Sequence, residues 1–331
     1  MMANIYFRFD ANNKIGRGHL TRCVALAGYL KSNFNLKFII QDHNRSFCEP
    51  LLNEWSTIWI SSEDKISDLV GPEDILVVDS YDFDSSWRQN IKPFVKKLVL
   101  INDFPDDSKG ADVVINHTPG ITKEDFSDDD NIEYLLGLDY LMLRPEFIDS
   151  IERKSADKAQ NKGLFVYFGS VDALNISEQL VYSLKELGFK DPIYLPQSSS
   201  IQDSKLSEKF RDVHIYTELS SFEMKKLIGR SRLASVAASM IGFEVATLNV
   251  AMICSFFVEN QKLNYKGFTK LGISEAGGEI AESRDIHLLA KKTNELYHNA
   301  DRIKKIQLSQ KVKVDGKSPE RFNSFFHSLI N

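Results

Sequence analysis

Cysteine is scarce in this sequence: Cys23, Cys48 and Cys254 are the only three among 331 residues. They are odd in number and far apart, which excludes a disulfide scaffold and fits reduced thiols in a cytoplasmic protein. Metal-ligand patterns are missing as well. Besides His19, the histidines are His43, His117, His214, His287, His298 and His327, and none pairs with another at i, i+4. No metal site and no cofactor are therefore expected; the acidic run 128–130 reads as a solvated loop. Excess positive charge is absent, with 41 Lys and Arg against 46 Asp and Glu. That excludes the electrostatic footprint of a nucleic-acid-binding protein. An anionic ligand would have to be gripped by local devices such as helix N-termini. No apolar run reaches the roughly 18 residues of a membrane span. The N-terminus, MMANIYFRFD, lacks the basic and then apolar pattern of a signal peptide.

What is present is a series of short apolar runs separated by helical patterns. Residues 5–9, 36–40, 57–60, 75–78, 98–101 and 113–115 read as strands, and 17–31 reads as an amphipathic helix. Strands this apolar, without alternation, are buried on both faces, as in a parallel sheet covered by helices. A polar stretch, 151–162, is the linker candidate. The pattern then restarts with strands at 164–168, 192–195, 214–216, 233–237 and 250–254. Helices are expected at 175–187, at 221–228 and from about 286 onward. The reading is α/β: two Rossmann-like doubly wound domains, 1–150 and 163–331. Ligands of open α/β sheets bind beyond the carboxyl ends of the strands, so the expected site is the interdomain cleft.

Four loops carry chemistry. The first, RFDANNKIGRGHLTRC, runs from strand one into helix one. Gly16 and Gly18 permit tight or left-handed backbone and close ligand approach. His19 then falls at the start of the helix, where the dipole disfavours a positive imidazolium. A neutral imidazole can act as a general base; the alternative is a surface or capping histidine. Gly16-x-Gly18 is not a dinucleotide fingerprint, because position 21 is Thr. The second loop, YFGSVDALN, offers Gly169, Ser170, Val171 and free amides at a helix start to a diphosphate. In the third, AASMIGFEVATLNV, Ser239 stands where a helix cap would be, followed by Met240, and Glu244 lies a turn inside. Glu244 reads either as an acceptor for adjacent hydroxyls or as a solvent-facing helix residue. The fourth, FVENQ, places Asn260 and Gln261 in a polar loop whose amides suit hydroxyl and acetamido groups.

The segment IGRGHLTRCVALA resembles the first loop of the UDP-2,4-diacetamido-2,4,6-trideoxy-β-L-altropyranose hydrolases of pseudaminic acid biosynthesis. Arg8, Asp10, Ile15, Gly16, Gly18, His19, Arg22 and Cys23 match that family's pattern. The resemblance extends through VVDSYDF with Tyr81, LINDFPDD with Asp103 and ADVVINHTPG with Asn116. It continues through LLGLDYLMLRPEF with Arg144 and reaches VDGKSPERF near the end, where Ser318 replaces a glycine. Ser170 and Met240 are further departures. The resemblance implies a GT-B type fold and a nonulosonic acid pathway, as in pseudaminic acid biosynthesis; related proteins make spore-coat polysaccharide. It implies that His19 is the catalytic base and that Gly16, Gly18, Asp10, Tyr81, Asn116, Arg144, Asn260 and Gln261 meet the sugar. The nucleotide would be met by Gly169, Ser170, Val171, Ser239, Met240 and Glu244, with Glu244 on the ribose. The partner so implied is a UDP-sugar substrate, and a monomer or weak dimer is expected. Two alternatives stay open: an inverting glycosyltransferase, in which His19 deprotonates an acceptor hydroxyl, and a non-catalytic sugar-nucleotide-binding homologue.

Overall fold

The computed structural model describes residues 3–12, 15–105, 108–126, 131–149, 161–169, 172, 174–197 and 206–330. The chain divides into two compact units, Met1–Pro145 with Lys317–Asn331, and Glu146–Gly316.

Unit 1 holds a seven-stranded parallel sheet: β1 (Asn4–Phe9), β2 (Asn35–Gln41), β3 (Thr57–Ile60), β4 (Ile75–Asp79), β5 (Lys97–Ile101), β6 (Val113–Asn116) and β7 (Glu133–Leu136). The order across the sheet is β3-β2-β1-β4-β5-β6-β7. The central strands are buried along their length: Ile75, Leu76, Val77 and Val78 are all at 0% exposure. That is why they read as continuous apolar runs rather than as alternating ones. The order reverses beside β1 and β4, and at such a switch point the loops diverge and leave a crevice. The register pairs Phe9 with Asp79, so the residues that follow β1 and β4 leave the sheet side by side.

Unit 2 repeats the plan with β8 (Leu164–Tyr167), β9 (Ile193–Gln197), β10 (Val213–Thr217), β11 (Leu233–Ala237), β12 (Ala251–Phe256) and β13 (Glu275–Glu279), in the order β10-β9-β8-β11-β12-β13. Leu164, Val166, Leu180, Leu184, Leu233, Ile253 and Leu289 share one buried cluster, which packs sheet against helices. Strand β13 escaped the sequence reading because EAGGE has no apolar run. It forms because Gly277 lets it close on β12 at a register shift: a Cβ there would stand 2.1 Å from Ser255 Oγ.

The structure corrects the expected boundaries. The chain leaves unit 1 at Pro145, and Glu146 already accepts a hydrogen bond from Ser221 Oγ of unit 2 at 2.7 Å. The last helix, Ser318–Ile330, belongs to unit 1 and not to the C-terminal domain. Its Phe322, Phe326 and Leu329 recur at helical spacing. Phe322 stacks on Tyr29 with centroids 6.2 Å apart, and Phe326 meets Phe34 edge-on. Asn323 donates to the Tyr29 carbonyl at 2.8 Å. Each phenylalanine so buried stabilises the helix on its unit by roughly 1.5–3 kcal/mol. Most of the expected linker, 151–160, and the acidic run 128–130 lie outside the described residues.

Candidate active site

At the carboxyl edge of the first sheet, a helix and three strand ends converge. The loop after β1 turns at Gly16, whose φ of +86° is one that a side chain resists. Its amide donates to the Asn12 carbonyl at 2.7 Å. The helix Gly18–Leu30 then begins. A Cβ at Gly18 would meet no atom within 4 Å, so this residue is helical and borders open space. His19, Arg22 and Cys23 stand three and four residues apart and therefore share one helix face. That face is turned to Asp79, the last residue of β4.

Asp79 is fully buried. Its Oδ1 lies 2.6 Å from His19 Nδ1, and Arg22 grips it through Nε to Oδ2 at 2.6 Å and Nη2 to Oδ1 at 2.5 Å. Cys23 Sγ adds a weak contact at 3.5 Å. Burial by itself would raise the Asp79 carboxyl, but the Arg22 charge and the hydrogen bonds from Arg22 and His19 outweigh it. They hold the group well below the usual carboxylate range, so it is ionised. An ionised carboxylate only accepts, so the hydrogen of a neutral imidazole sits on Nδ1 and Nε2 keeps its lone pair. Arg22 also reaches Asp103, Nη1 to Oδ1 at 2.5 Å. Asp103 in turn accepts from the Tyr81 hydroxyl at 2.6 Å. Tyr81 packs edge-on against the His19 ring, with centroids 4.8 Å apart. His19, Asp79, Arg22, Asp103 and Tyr81 thus form a closed circuit. Its outer member is Tyr81, 46% exposed, whereas the His19 side chain is 7% exposed. His19 is neither a surface histidine nor a cap.

His19 and Tyr81 are the members of this circuit to which the sequence assigns a role; Asp79, Arg22 and Asp103 gain theirs from the structure. The signal available was an aspartate ending an apolar strand, where a charge is costly without partners. His117, one of the scattered histidines in the sequence, is buried beside this cluster. Burial, and then the Arg22 charge, push it down to about 4. An unfolded histidine titrates near 6.5. Between these values the unfolded chain binds the extra proton, so stability is fully present above about pH 6.5 and is lost as pH falls toward 4. His117→Asn should recover about 3 kcal/mol of the stability the parent loses between pH 7.5 and 4.5. Urea unfolding at both values checks this, and equal losses in parent and variant would reject it.

Other expected residues fare differently. Asp10 is engaged within the protein: its carboxylate pairs with Arg8 at 2.8 Å and accepts from Ser80, and Arg8 is held by Glu63. It braces the loops after β1 and β4, with one protein partner on each carboxylate oxygen. Asn116 ends β6, and its Oδ1 accepts from the Thr118 amide at 2.8 Å. Its Nδ2 is buried without a hydrogen-bond partner. Arg144 is half-buried just before the chain leaves unit 1.

In unit 2, Gly169 has φ +108° and a Cβ there would meet open space. Ser170 and Val171 lie outside the described residues. The expectation of free amides at the following helix is corrected: Asp172 accepts from the Ile176 and Ser177 amides at 2.9 and 3.0 Å. A carboxylate already caps that N-terminus. Ser239 takes the N-cap position of helix Met240–Thr247, but its side chain makes no capping hydrogen bond, which leaves that end without a side-chain cap. Glu244, 3% exposed, is buried rather than solvent-facing. Asn260 and Gln261 sit in the first turn of helix Glu259–Lys270, not in a loop, and Gln261 Oε1 accepts from the Phe257 amide at 3.2 Å.

Comparison with solved structures settles the architecture. MurG of Acinetobacter baumannii superposes with a TM-score of 0.64 over 98% of this chain and 99% of its own, at 14% identity. Arabidopsis thaliana UGT89C1, solved with UDP-L-rhamnose, gives 0.66 over 100% of both chains at 10% identity.

The chain has the GT-B fold.

Identities this low establish the GT-B architecture alone. In sequence, the chain is 24% identical over 278 residues to the UDP-2,4-diacetamido-2,4,6-trideoxy-β-L-altropyranose hydrolase of Campylobacter jejuni subsp. jejuni serotype O:2, covering 81% of this chain and 97% of that one. The resemblance carried by IGRGHLTRC therefore extends along most of this GT-B chain. No protein-family model matches it. No helix among the described residues is long and apolar enough to cross a membrane.

Proposed function

We propose that this GT-B protein is a UDP-sugar hydrolase that releases UDP from a UDP-linked 2,4-diacetamido-2,4,6-trideoxy hexose, supplying the free sugar for a nonulosonic acid of the pseudaminic type. The observation that carries the reading is the 2.6 Å contact of His19 Nδ1 with a buried, ionised Asp79 at a sheet's carboxyl edge. Such a pair leaves Nε2 as a proton acceptor of fixed orientation. Nε2 takes a proton from water as the water oxygen bonds to the anomeric carbon. The bond from that carbon to the diphosphate oxygen breaks, and its electron pair leaves on UDP with inversion at carbon. Tyr81 and the Asn116 amide are the groups assigned to orienting the sugar. Glu244, with backbone amides at the start of helix Met240–Thr247, is assigned to the nucleotide, where those N–H groups would take up the developing charge on UDP.

Glu244→Gln keeps the shape and removes the charge. It should weaken UDP binding by about tenfold, the loss of one charge-assisted hydrogen bond. Titration calorimetry with UDP checks this, and an unchanged affinity would take Glu244 out of the nucleotide site. A second reading, transfer to an acceptor hydroxyl, is favoured by the likeness in fold to glycosyltransferases. The two part on one test: incubation with a panel of UDP-linked diacetamido sugars without any acceptor. Release of UDP and inverted free sugar, seen by NMR, supports the hydrolase; release only on adding an alcohol supports the transferase.

A further inference from the structure

The last two helices of unit 2 combine basic charge with uncovered apolar side chains. Residues 283–313 carry eight Lys and Arg against three Asp and Glu, in a chain with 41 against 46. Among the described residues, the most exposed large apolar side chains are Val312 at 76%, Leu308 at 57%, Phe222 at 53% and Leu288 at 51%. Three of these four lie on the helices Ser283–Tyr297 and Ala300–Lys313, which pack against each other. Helical spacing sorts the second helix cleanly. Ile303, Ile306 and Gln310 face inward, while Leu308 and Val312, one turn apart, face outward with Lys304, Lys305 and Lys311. On the first helix, Leu288 and Lys291 share the exposed face. Lys292 and Arg302 are engaged, on the carbonyls of Ala276 and Gly277 and on Glu275. The exposed lysines 291, 304, 305, 311 and 313 have no such partner among the described residues.

We infer that this face docks the protein on an anionic lipid surface. A membrane-surface helix needs an aliphatic strip to enter the headgroup boundary and lysines around it to meet the negative potential, their stems lying along the apolar surface. Both are present. The unengaged cations are all lysine, whose mobile, hydrated charge suits a diffuse field better than fixed carboxylates on a protein partner. The face has no exposed Trp or Tyr anchor of the kind that dominates protein interfaces, its arginines 284 and 302 are already paired with Glu282 and Glu275, and it has no aromatic platform for nucleic-acid bases. The rest of the chain carries a net negative charge, which an anionic surface repels, and this favours docking by the basic face. The inference does not depend on the reading of the active site.

Co-sedimentation of the full chain with vesicles tests it. Phosphatidylcholine vesicles containing about 30% phosphatidylglycerol should retain the protein at least about tenfold better than phosphatidylcholine alone at low salt, and about 0.5 M NaCl should abolish the difference. The substitutions Leu308→Ser with Val312→Ser, and separately Lys304→Glu, Lys305→Glu and Lys311→Glu, should each cut retention by about tenfold. All five positions are exposed, so the thermal midpoint should hold, which separates lost docking from lost folding. Equal retention on both vesicle types, or either variant binding as the parent does, overturns the inference.

Discussion

His19→Gln should lower kcat for UDP release by about two to four orders of magnitude, with UDP affinity unchanged within about twofold. The glutamine amide is a far weaker base than imidazole, so the water would keep its proton in the transition state. Nucleotide contacts are assigned to Glu244 and the amides beside it in unit 2, so the loss should fall on kcat rather than on binding. Steady-state kinetics with calorimetry for UDP would show the split. Turnover near the parent rate would remove His19 from the reaction. A parallel loss of UDP affinity would mean that it had acted through nucleotide binding.

Asp79→Asn should cost activity on a similar scale, about three to four orders of magnitude by analogy with aspartates that hold a catalytic imidazole. The physical reason lies in donor and acceptor count. Asp79 accepts from His19 and twice from Arg22, whereas an amide has only one acceptor atom for these three donors. Either Arg22 loses a partner or the imidazole turns its other tautomer. Stability should fall as well, by about 3–5 kcal/mol, because Arg22 keeps only Asp103 as a counter-charge in a buried site. Nitrogen NMR of the imidazole separates the two effects: the parent should carry its hydrogen on Nδ1 and the variant should not. A variant with the same tautomer and near-parent turnover would show Asp79 to be structural only.

The fold was legible where burial is two-sided. The runs at 75–78, 98–101 and 233–237 match β4, β5 and β11 because a strand covered on both faces leaves no room for polar residues. It was illegible where a backbone approach replaces an apolar run, as in β13. The helix Ser318–Ile330 showed its apolar stripe in the sequence, but a stripe does not say which core receives it, and so it was placed in the wrong unit. At the site, His19 and Tyr81 could be named because a loop after strand one and a motif pointed to them. Asp79 and Arg22 stand in the same matched segments but could be given no role there, since that role arises from β4 pairing next to β1 beneath the helix that carries His19 and Arg22. The same gap explains the capping errors. A glycine-bearing loop before a helix reads as an anion cradle until Asp172 is seen on the amides of Ile176 and Ser177.

The most direct test is turnover of a UDP-linked 2,4-diacetamido-2,4,6-trideoxy hexose in oxygen-18 water, with mass analysis of both products and no added acceptor. Water activated by His19 and aimed at the anomeric carbon leaves one heavy oxygen on the free sugar and none on UDP. Heavy oxygen on the UDP phosphate, or no UDP until an alcohol is supplied, would contradict it.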